Sequence, residues 1–310
     1  MSVETVQVSA EVLNAAFIHK LDSGLTKEAM EAGSAFIRQK LYEEGVTRRL
    51  FDFRTVTADE LDPTEDDDKP SILVEKEPDS PLATFVPFRG TGDHRYFSGK
   101  RFRIPFGKIE STREAKSKFE LMVIRMDIMT WLKDKHVKMV QAQEDSALIN
   151  ACDAIVKANS GAQDLDVTLS STVSFKDAIT TGVKALYNLR LPCGKILMHK
   201  NTYIDSSKLK TDEIGFKPQE DRFNNGLEGE TSFLGYPVVT TIKEDIVAPG
   251  EIYFFAPQDY FARAYLLQDA TLFIKNEADM IEFFTYEAPG IGIGNTHGVV
   301  RVTVADDASA

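Results

Sequence analysis

Cysteine is nearly absent: only Cys152 and Cys193 occur in 310 residues, far apart in sequence. Two distant thiols cannot frame a disulfide-built domain, and they fit a reducing compartment with free thiols. Long apolar runs are missing as well. The longest stretch without Asp, Glu, Lys or Arg is Ala288 to Val300, and it holds four Gly and one Pro. A membrane-spanning helix needs roughly 20 mostly apolar residues. The first residues, MSVETVQVSAEVL, have neither a basic n-region nor an apolar h-region, so no secretory signal is read there. Positive charge is in deficit: 36 Lys and Arg stand against 48 Asp and Glu, a net charge of -12. Proteins whose main task is gripping a nucleic acid are ordinarily basic, because phosphate contacts need Lys and Arg.

Catalytic signatures are also lacking. His19, His94, His136, His199 and His297 have no second His, Cys or acid at zinc-ligand spacing. Cys193 lies in LPCG, a turn leading into a strand, with no base or electropositive partner marked beside it. Ser170-Ser171 and Ser206-Ser207 lack the glycines of a nucleophile elbow. The run GIGIGN, Gly290 to Asn295, follows Pro289 and leads into the strand-like GVVRVTV. A dinucleotide fingerprint must follow a strand and open a helix, so this run is expected to be a flexible loop between two strands. The acidic stretch DELDPTEDDD, Asp59 to Asp68, lacks the spacing and central Gly of a calcium loop and reads as solvated. The expectation is no catalytic residue, no cofactor and no metal site.

What is present is a chain of about two ordinary domains, with 43% hydrophobic residues to build a core. Thr26 to Glu44 reads as a helix capped by Thr26 and ended by Gly45, with Ala29, Ala32, Phe36, Ile37 and Leu41 at helical spacing. Val46 to Thr57 begins as an alternating strand. Thr112 to Ala158 is helical for most of its length, with a break expected near Gln143 to Ser146. At about 1.5 Å per residue, forty-odd residues span roughly 65 Å. Its part Phe119 to Leu132 is apolar on most sides, so it should be covered on several faces, with Met122, Met126 and Met129 as core packing. Asn159-Ser160-Gly161 marks a boundary. Beyond it, Ser174 to Leu189 reads as a helix with Ser174 as N-cap and Asp177 in the first turn. Lys195 to His199 is a short buried strand, and Asp205 to Asn225 is polar and loop-rich. Phe233 to Ile242, Ile252 to Ala256 and Gly298 to Ala305 are strands, and Ala270 to Tyr286 is mostly extended. Helices and strands are interspersed without a βαβ repeat, so the class is α+β.

One stretch is crowded with aromatic and basic residues: Leu82 to Lys108, LATFVPFRGTGDHRYFSGKRFRIPFGK. It reads as two strands joined by a Gly-rich tip. Period-two alternation puts Phe102, Ile104 and Phe106 on one face and Arg101 and Arg103 on the other. A two-stranded hairpin is marginal alone in water. Either its own domain covers it or a neighbouring subunit does, which points toward assembly.

The order of elements is an N-terminal arm, a long hairpin, a long spine helix, a mixed domain and return strands. It resembles the major capsid protein of tailed double-stranded DNA phages, the Hong Kong 97 type. Three phrases carry the resemblance locally: KILMHKNTYIDSSKL (Lys195 to Leu209), TSFLGYPVVTTIKEDIVAPGEIYFFAPQDY (Thr231 to Tyr260) and EAPGIGIGNTHGVVRVTV (Glu287 to Val304). The resemblance implies an arm at 1–45, an extended loop at 46–110, a peripheral domain with the spine at 111–158, an axial domain at 159–265 and a return to the peripheral domain at 266–310. It implies a non-enzymatic subunit that forms hexamers and pentamers of an icosahedral shell, part of the virion and assembled in the host cytoplasm. The shell would enclose double-stranded DNA without tight or sequence-specific binding. No long helical segment precedes the arm, so a separate scaffolding protein is implied, with a portal and a decoration protein as further partners. Some relatives crosslink a loop Lys to an Asn, and Lys100 is in the right kind of loop, though its Asn is not identified. In such an assembly Phe85, Phe88, Tyr96, Phe97, Phe102, Ile104 and Phe106 are expected to bury area against adjacent subunits. Arg89, Arg95, Lys100, Arg101 and Arg103 would face acidic partners, Glu65, Asp66, Asp67 and Asp68. Two alternatives remain at this stage: an encapsulin-type bacterial nanocompartment shell, and an unrecognised α+β enzyme.

Overall fold

The structure is a computed structural model of the chain. It describes residues 45–62, 70–76, 85–92, 99–123, 128–170, 173–205, 232–277 and 279–306, with 19, 27, 28, 30, 31, 34, 35, 37, 83 and 96 singly. The helices are α1 (Val46–Leu50), α2 (Lys118–Val123), α3 (Ile128–Ala158), α4 (Phe175–Asn188), α5 (Lys200–Asp205) and α6 (Gln258–Phe261). The strands are β1 (Arg54–Thr55), β2 (Ser71–Lys76), β3 (Lys100–Pro105), β4 (Ile109–Glu110), β5 (Glu114–Ser117), β6 (Asp164–Leu169) and β7 (Lys195–His199). They continue with β8 (Ser232–Phe233), β9 (Tyr236–Thr241), β10 (Glu251–Phe255), β11 (Ala262–Glu277), β12 (Met280–Ile293) and β13 (Val299–Asp306).

A six-stranded sheet, in the order β6-β13-β10-β7-β9-β8, forms one half. Its central strands, KILMH and EIYFF, are apolar without alternation, as a strand covered on both faces requires. Tyr253, Phe255 and Leu197 point to one side, into a core shared with Leu148, Cys152 and Val156 of α3. Ile252, Phe254, Ile196 and Met198 point to the other, against α4. That helix starts where the sequence indicates: Ser174 caps it, and Asp177 accepts from the Ser174 N–H at 2.9 Å, a reciprocal capping box. These donors hold the Asp177 carboxyl below the usual carboxylate range. The tight turn between β8 and β9 needs left-handed backbone at both central residues, Leu234 (φ 53°) and Gly235 (φ 86°). The final strand does not return to the other half, as the 266–310 boundary implied. β13 runs parallel to β6 and antiparallel to β10, inside this sheet. Its VVRVTV carries Val300 and Val302 into the α4 core, which settles its place.

The other half is a long antiparallel ribbon, β11 with β12, edged by β1 on one side and by β4 and β5 on the other. Phe273, Tyr286 and Phe284 stack along it, with Phe273 and Tyr286 ring centroids 4.6 Å apart. α3 lies across the ribbon and the sheet as a spine. Its 31 residues span about 46 Å at about 1.5 Å per residue. The expected break at Gln143 to Ser146 does not occur; those residues lie within continuous helix. The start of the expected helix is strand instead, because Glu114–Ser117 pairs with Met280–Phe283. The described residues of the N-terminal segment are helical, and Ile37 is buried against Leu272 and Phe283 of the ribbon. Val46–Leu50 is a helix rather than the start of a strand, and only Arg54–Thr55 pairs, in parallel, with β11.

Candidate assembly surface

The hairpin forms, but with a different first arm. β3 pairs with Ser71–Lys76 in the register Ile72↔Ile104 and Val74↔Phe102. The expected partner segment contains Pro87, and it makes a turn there: the Gly90 N–H donates to the Pro87 carbonyl at 2.7 Å. SILVEK has no proline and supplies a β-branched apolar face. Beneath the hairpin lies the run expected to be a loop. Gly290 and Gly292 end β12, and Gly294 follows it. Because side chains alternate along a strand, three glycines two apart open one face. The apolar residues of the hairpin base fill that face in order. A Cβ on Gly290 would meet Phe106 at 2.8 Å, one on Gly292 would meet Ile104 at 2.4 Å, and one on Gly294 would meet Phe102 at 3.4 Å.

This packing corrects one assignment. Ile104 is wholly buried with Val56, Ile72 and Tyr265 of its own chain, so it offers no area to a neighbour. Phe102 and Phe106 are half-buried against the same cluster. On the outer face, Arg101 pairs with Glu75 at 2.8 Å and Arg103 with Asp62 at 3.0 Å, both within the chain. Lys100 is exposed and stands opposite Lys76. Arg89 is exposed. Glu65, Asp66, Asp67, Asp68, Arg95 and Phe97 lie outside the described residues, as does His94. Beyond the hairpin base, Phe85, Phe88 and Tyr96 are fully exposed. A second apolar group was missed as surface. Phe119, Met122 and Val123 of α2 are 70%, 57% and 79% exposed, where coverage on several faces and a core Met122 were expected. The reason is that α2 presents only Leu121 to the chain's own core. Met126 and the Met129 side chain lie outside the described residues.

Two polar joints tie the spine to the elements around it. Arg301 of β13 bridges Asp153 of the spine (2.6 Å), Asp164 of β6 (2.8 Å) and Glu251 of β10 (3.5 Å). The hydrogen bonds that Arg301 donates to Asp164 outweigh burial and raise the Arg301 pKa. α1 is the second joint, just ahead of the hairpin. Asp145 of the spine accepts from the Thr47 N–H and hydroxyl, each at 2.9 Å, and from Lys243 at 2.9 Å. Arg48 reaches Glu144 of the spine, Glu287 of β12 and Asp269 of β11. Lys195 donates to the carbonyls of Arg49 and Leu50 at the helix end. Val46, Thr47 and Leu50 are the buried residues of α1.

The remaining ionisable groups have structural settings. Burial pushes the Cys152 and Cys193 thiols up to about 12, far from the range of a reactive thiolate. Ser111 Oγ accepts from the Thr285 N–H at 2.9 Å and lies 2.7 Å from His136 Nδ1. Burial holds the His136 imidazole below its usual pKa. Among the described residues no group of three or more His, Cys, Asp or Glu side chains is placed to hold a metal ion. No helix among them is long and apolar enough to cross a membrane.

Loop hairpin, spine helix, ribbon and mixed sheet in this connection define the Hong Kong 97-type capsid fold. The chain is similar to a solved structure from Microbacterium phage Oxtober96, with TM-score 0.57 and 10% identity over 85% of this chain and 91% of that one. It is similar to the capsid of the native GTA particle, with TM-score 0.52 and 16% identity over 83% and 89%. It is likewise similar to the virus-like particle from Pyrococcus furiosus, with TM-score 0.52 and 14% identity over 88% and 98%. At these identities the likeness establishes the fold. No family model matches the chain, and no curated protein matches it.

Proposed function

We propose that this chain is the major capsid protein of a tailed double-stranded DNA phage, a non-enzymatic subunit that assembles with itself into hexamers and pentamers of an icosahedral head. The observation that carries this reading is the loop beyond the hairpin: in a capsid-type fold, Phe85, Phe88 and Tyr96 stand free of their own chain. Exposed apolar groups of this kind mark interaction sites. Covering each such ring in a neighbour contributes about 1.5–3 kcal/mol before ordering costs, and a closed shell repeats the contact many times. A separate scaffolding protein, a portal and a decoration protein complete the proposed partners. The net charge of -12 suits a container whose DNA is threaded in and released rather than gripped.

A second reading, a nanocompartment shell around protein cargo, is favoured by the similarity to the virus-like particle from Pyrococcus furiosus, which spans 98% of that chain. Electron microscopy of the purified protein tests the shell-forming reading. Closed shells, or rings of five and six, are expected; a chain that stays monomeric at every concentration overturns it. Nuclease-protected DNA inside particles made in infected cells separates a phage head from a cargo compartment. Replacing Phe85, Phe88 and Tyr96 together by Ser should leave the melting transition of the subunit unchanged, since none is buried, and abolish assembly. Normal shells from that variant would remove the loop from the mechanism.

A further inference from the structure

Among the described residues of the α1 joint, Arg48 is the cation within ion-pair distance of two buried glutamates. Arg48 places Nη2 at 2.6 Å from Glu287 Oε2 and Nε at 3.3 Å from Glu144 Oε2. Its Nη1 is 3.5 Å from Asp269. One guanidinium thus faces three carboxylates, and the Glu287 and Glu144 side chains are 0% and 1% exposed. Glu287 Oε1 is buried with no hydrogen-bond partner. The other charges around the joint are already engaged. Asp145, next to Glu144, is answered by Thr47 and Lys243. Arg49 donates to the Thr240 carbonyl, and Lys195 to the carbonyls at the α1 end. Glu110 of β4 pairs with Lys108, just before the strand, and with Arg113 after it. His136, two turns before Glu144 on the spine, is neutral and adds no cation.

We propose that the joint between α1, the spine helix and the ribbon is a proton-linked latch: one proton on the Glu287–Glu144 pair closes it, and loss of that proton releases α1. With the proton in place, Arg48 neutralises the single remaining buried anion and ties all three elements together. Without it, two adjacent buried carboxylates share one guanidinium, and the unpartnered Oε1 is left as part of a charge with no donor. Breaking Arg48 away lets water reach both acids. α1 is the piece that yields, because the spine and the ribbon are each long hydrogen-bonded elements, whereas α1 is five residues long. Its release frees the segment that leads into the loop hairpin. Burial first, and then the Glu144 charge, hold the Glu287 carboxyl up at about 8, against the attraction of Arg48. Burial also raises the Glu144 carboxyl. The sign follows: a carboxyl raised in the folded state contributes stability that is fully present below the ordinary carboxylate range and is lost as pH rises through about 8.

The latch does not depend on shell formation, and its test reads the subunit whether free or assembled. Infrared spectra of the full chain, taken from acid to alkaline pH, report the carbonyl stretch of a protonated carboxylic acid. Hydrogen exchange over the same series, corrected for the intrinsic rate, reports the α1 amides, including the Phe51 N–H that donates to the Thr47 carbonyl. The wild-type chain should keep a protonated-acid band at neutral pH, lose it with a midpoint near 8, and lose α1 protection by tenfold or more in the same interval. Glu287→Gln should show no such band and a flat protection profile. Glu144→Gln, which removes the neighbouring charge, should lower the midpoint and so decides the matter if the first variant fails to fold. Absence of a titrating band in the wild type, flat α1 protection beside a titrating band, or an unmoved midpoint in Glu144→Gln each overturns the latch.

Discussion

Arg301 shows how much one residue can hold. It is the lone charge in VVRVTV, on the central strand β13, and it gathers acids from three other elements. Replacing it by Ala leaves Asp164 and Glu251 without the cation that joins them, while Asp153 keeps only Lys157 at 2.5 Å. The expected cost is about 3 kcal/mol, the low end of the range for breaking a buried pair, because these acids are partly exposed. Denaturant unfolding measures it. Arg301→Lys should recover only part of the loss, since an ammonium cannot fork across Asp164. A single Arg among apolar strand residues was a readable signal of a buried cation. Thr47 and Arg48 were less readable. Five residues hold too little periodicity to separate helix from strand, and Val and Thr lean toward strand. What makes α1 a helix is its anchoring by Asp145 and Lys195, from the spine and β7, which local sequence does not contain.

At the level of elements, the strands and helices with strong local signals fell where they were expected. KILMH is β7 as read, and the helix opened by Ser174 and Asp177 is α4. The spine is the instructive miss. Its buried stripe runs Ile128, Leu132, His136, Val140, Glu144, Leu148, Cys152 and Val156, a clean helical spacing. Polar residues at His136, Gln141, Glu144 and Asp145 interrupt the apolar pattern just where a break was expected, although all four are buried. A polar patch in a sequence looks the same whether it faces water or a buried ion pair. The glycine face of β12 was misread for a related reason: glycines report flexibility in isolation and a docking slot when another strand fills them. Gly292→Ala tests the slot. Its Cβ would sit 2.4 Å from two atoms of Ile104, which is itself fully buried. Overpacking of this kind costs about 1–3 kcal/mol, so the variant should melt lower and lose amide protection across β2 and β3. Ile104→Ala in the same chain makes room for the new methyl. The double variant should lose less than the sum of the two single losses; simple additivity would mean that Gly292 does not seat Ile104.

For the whole molecule, the question is what kind of force closes the shell. The basic hairpin and the acidic loop suggested charge. The structure shifts the weight, because Arg101 and Arg103 are answered by Glu75 and Asp62 of the same chain, and such exposed pairs contribute little. Among the described residues, large apolar groups are left without cover: Phe85, Phe88 and Tyr96 on the loop, and Phe119, Met122 and Val123 at the foot of the spine. Charge-driven contacts weaken when the screening length falls to about 3 Å at 1 M salt, whereas excluded salts such as sulfate strengthen apolar burial. Assembly in the proposed shell should therefore persist at molar sodium chloride and gain from ammonium sulfate, followed by light scattering against subunit concentration. Reversing Arg101 and Arg103 to Glu together places each new acid beside an existing one, so the hairpin itself should loosen, with a lower melting temperature of the free subunit. The residual assembly should keep the same weak dependence on salt. Shells that dissolve steeply with sodium chloride would instead put ion pairs between subunits back at the centre, and would assign the contacts to acidic groups other than Glu75 and Asp62.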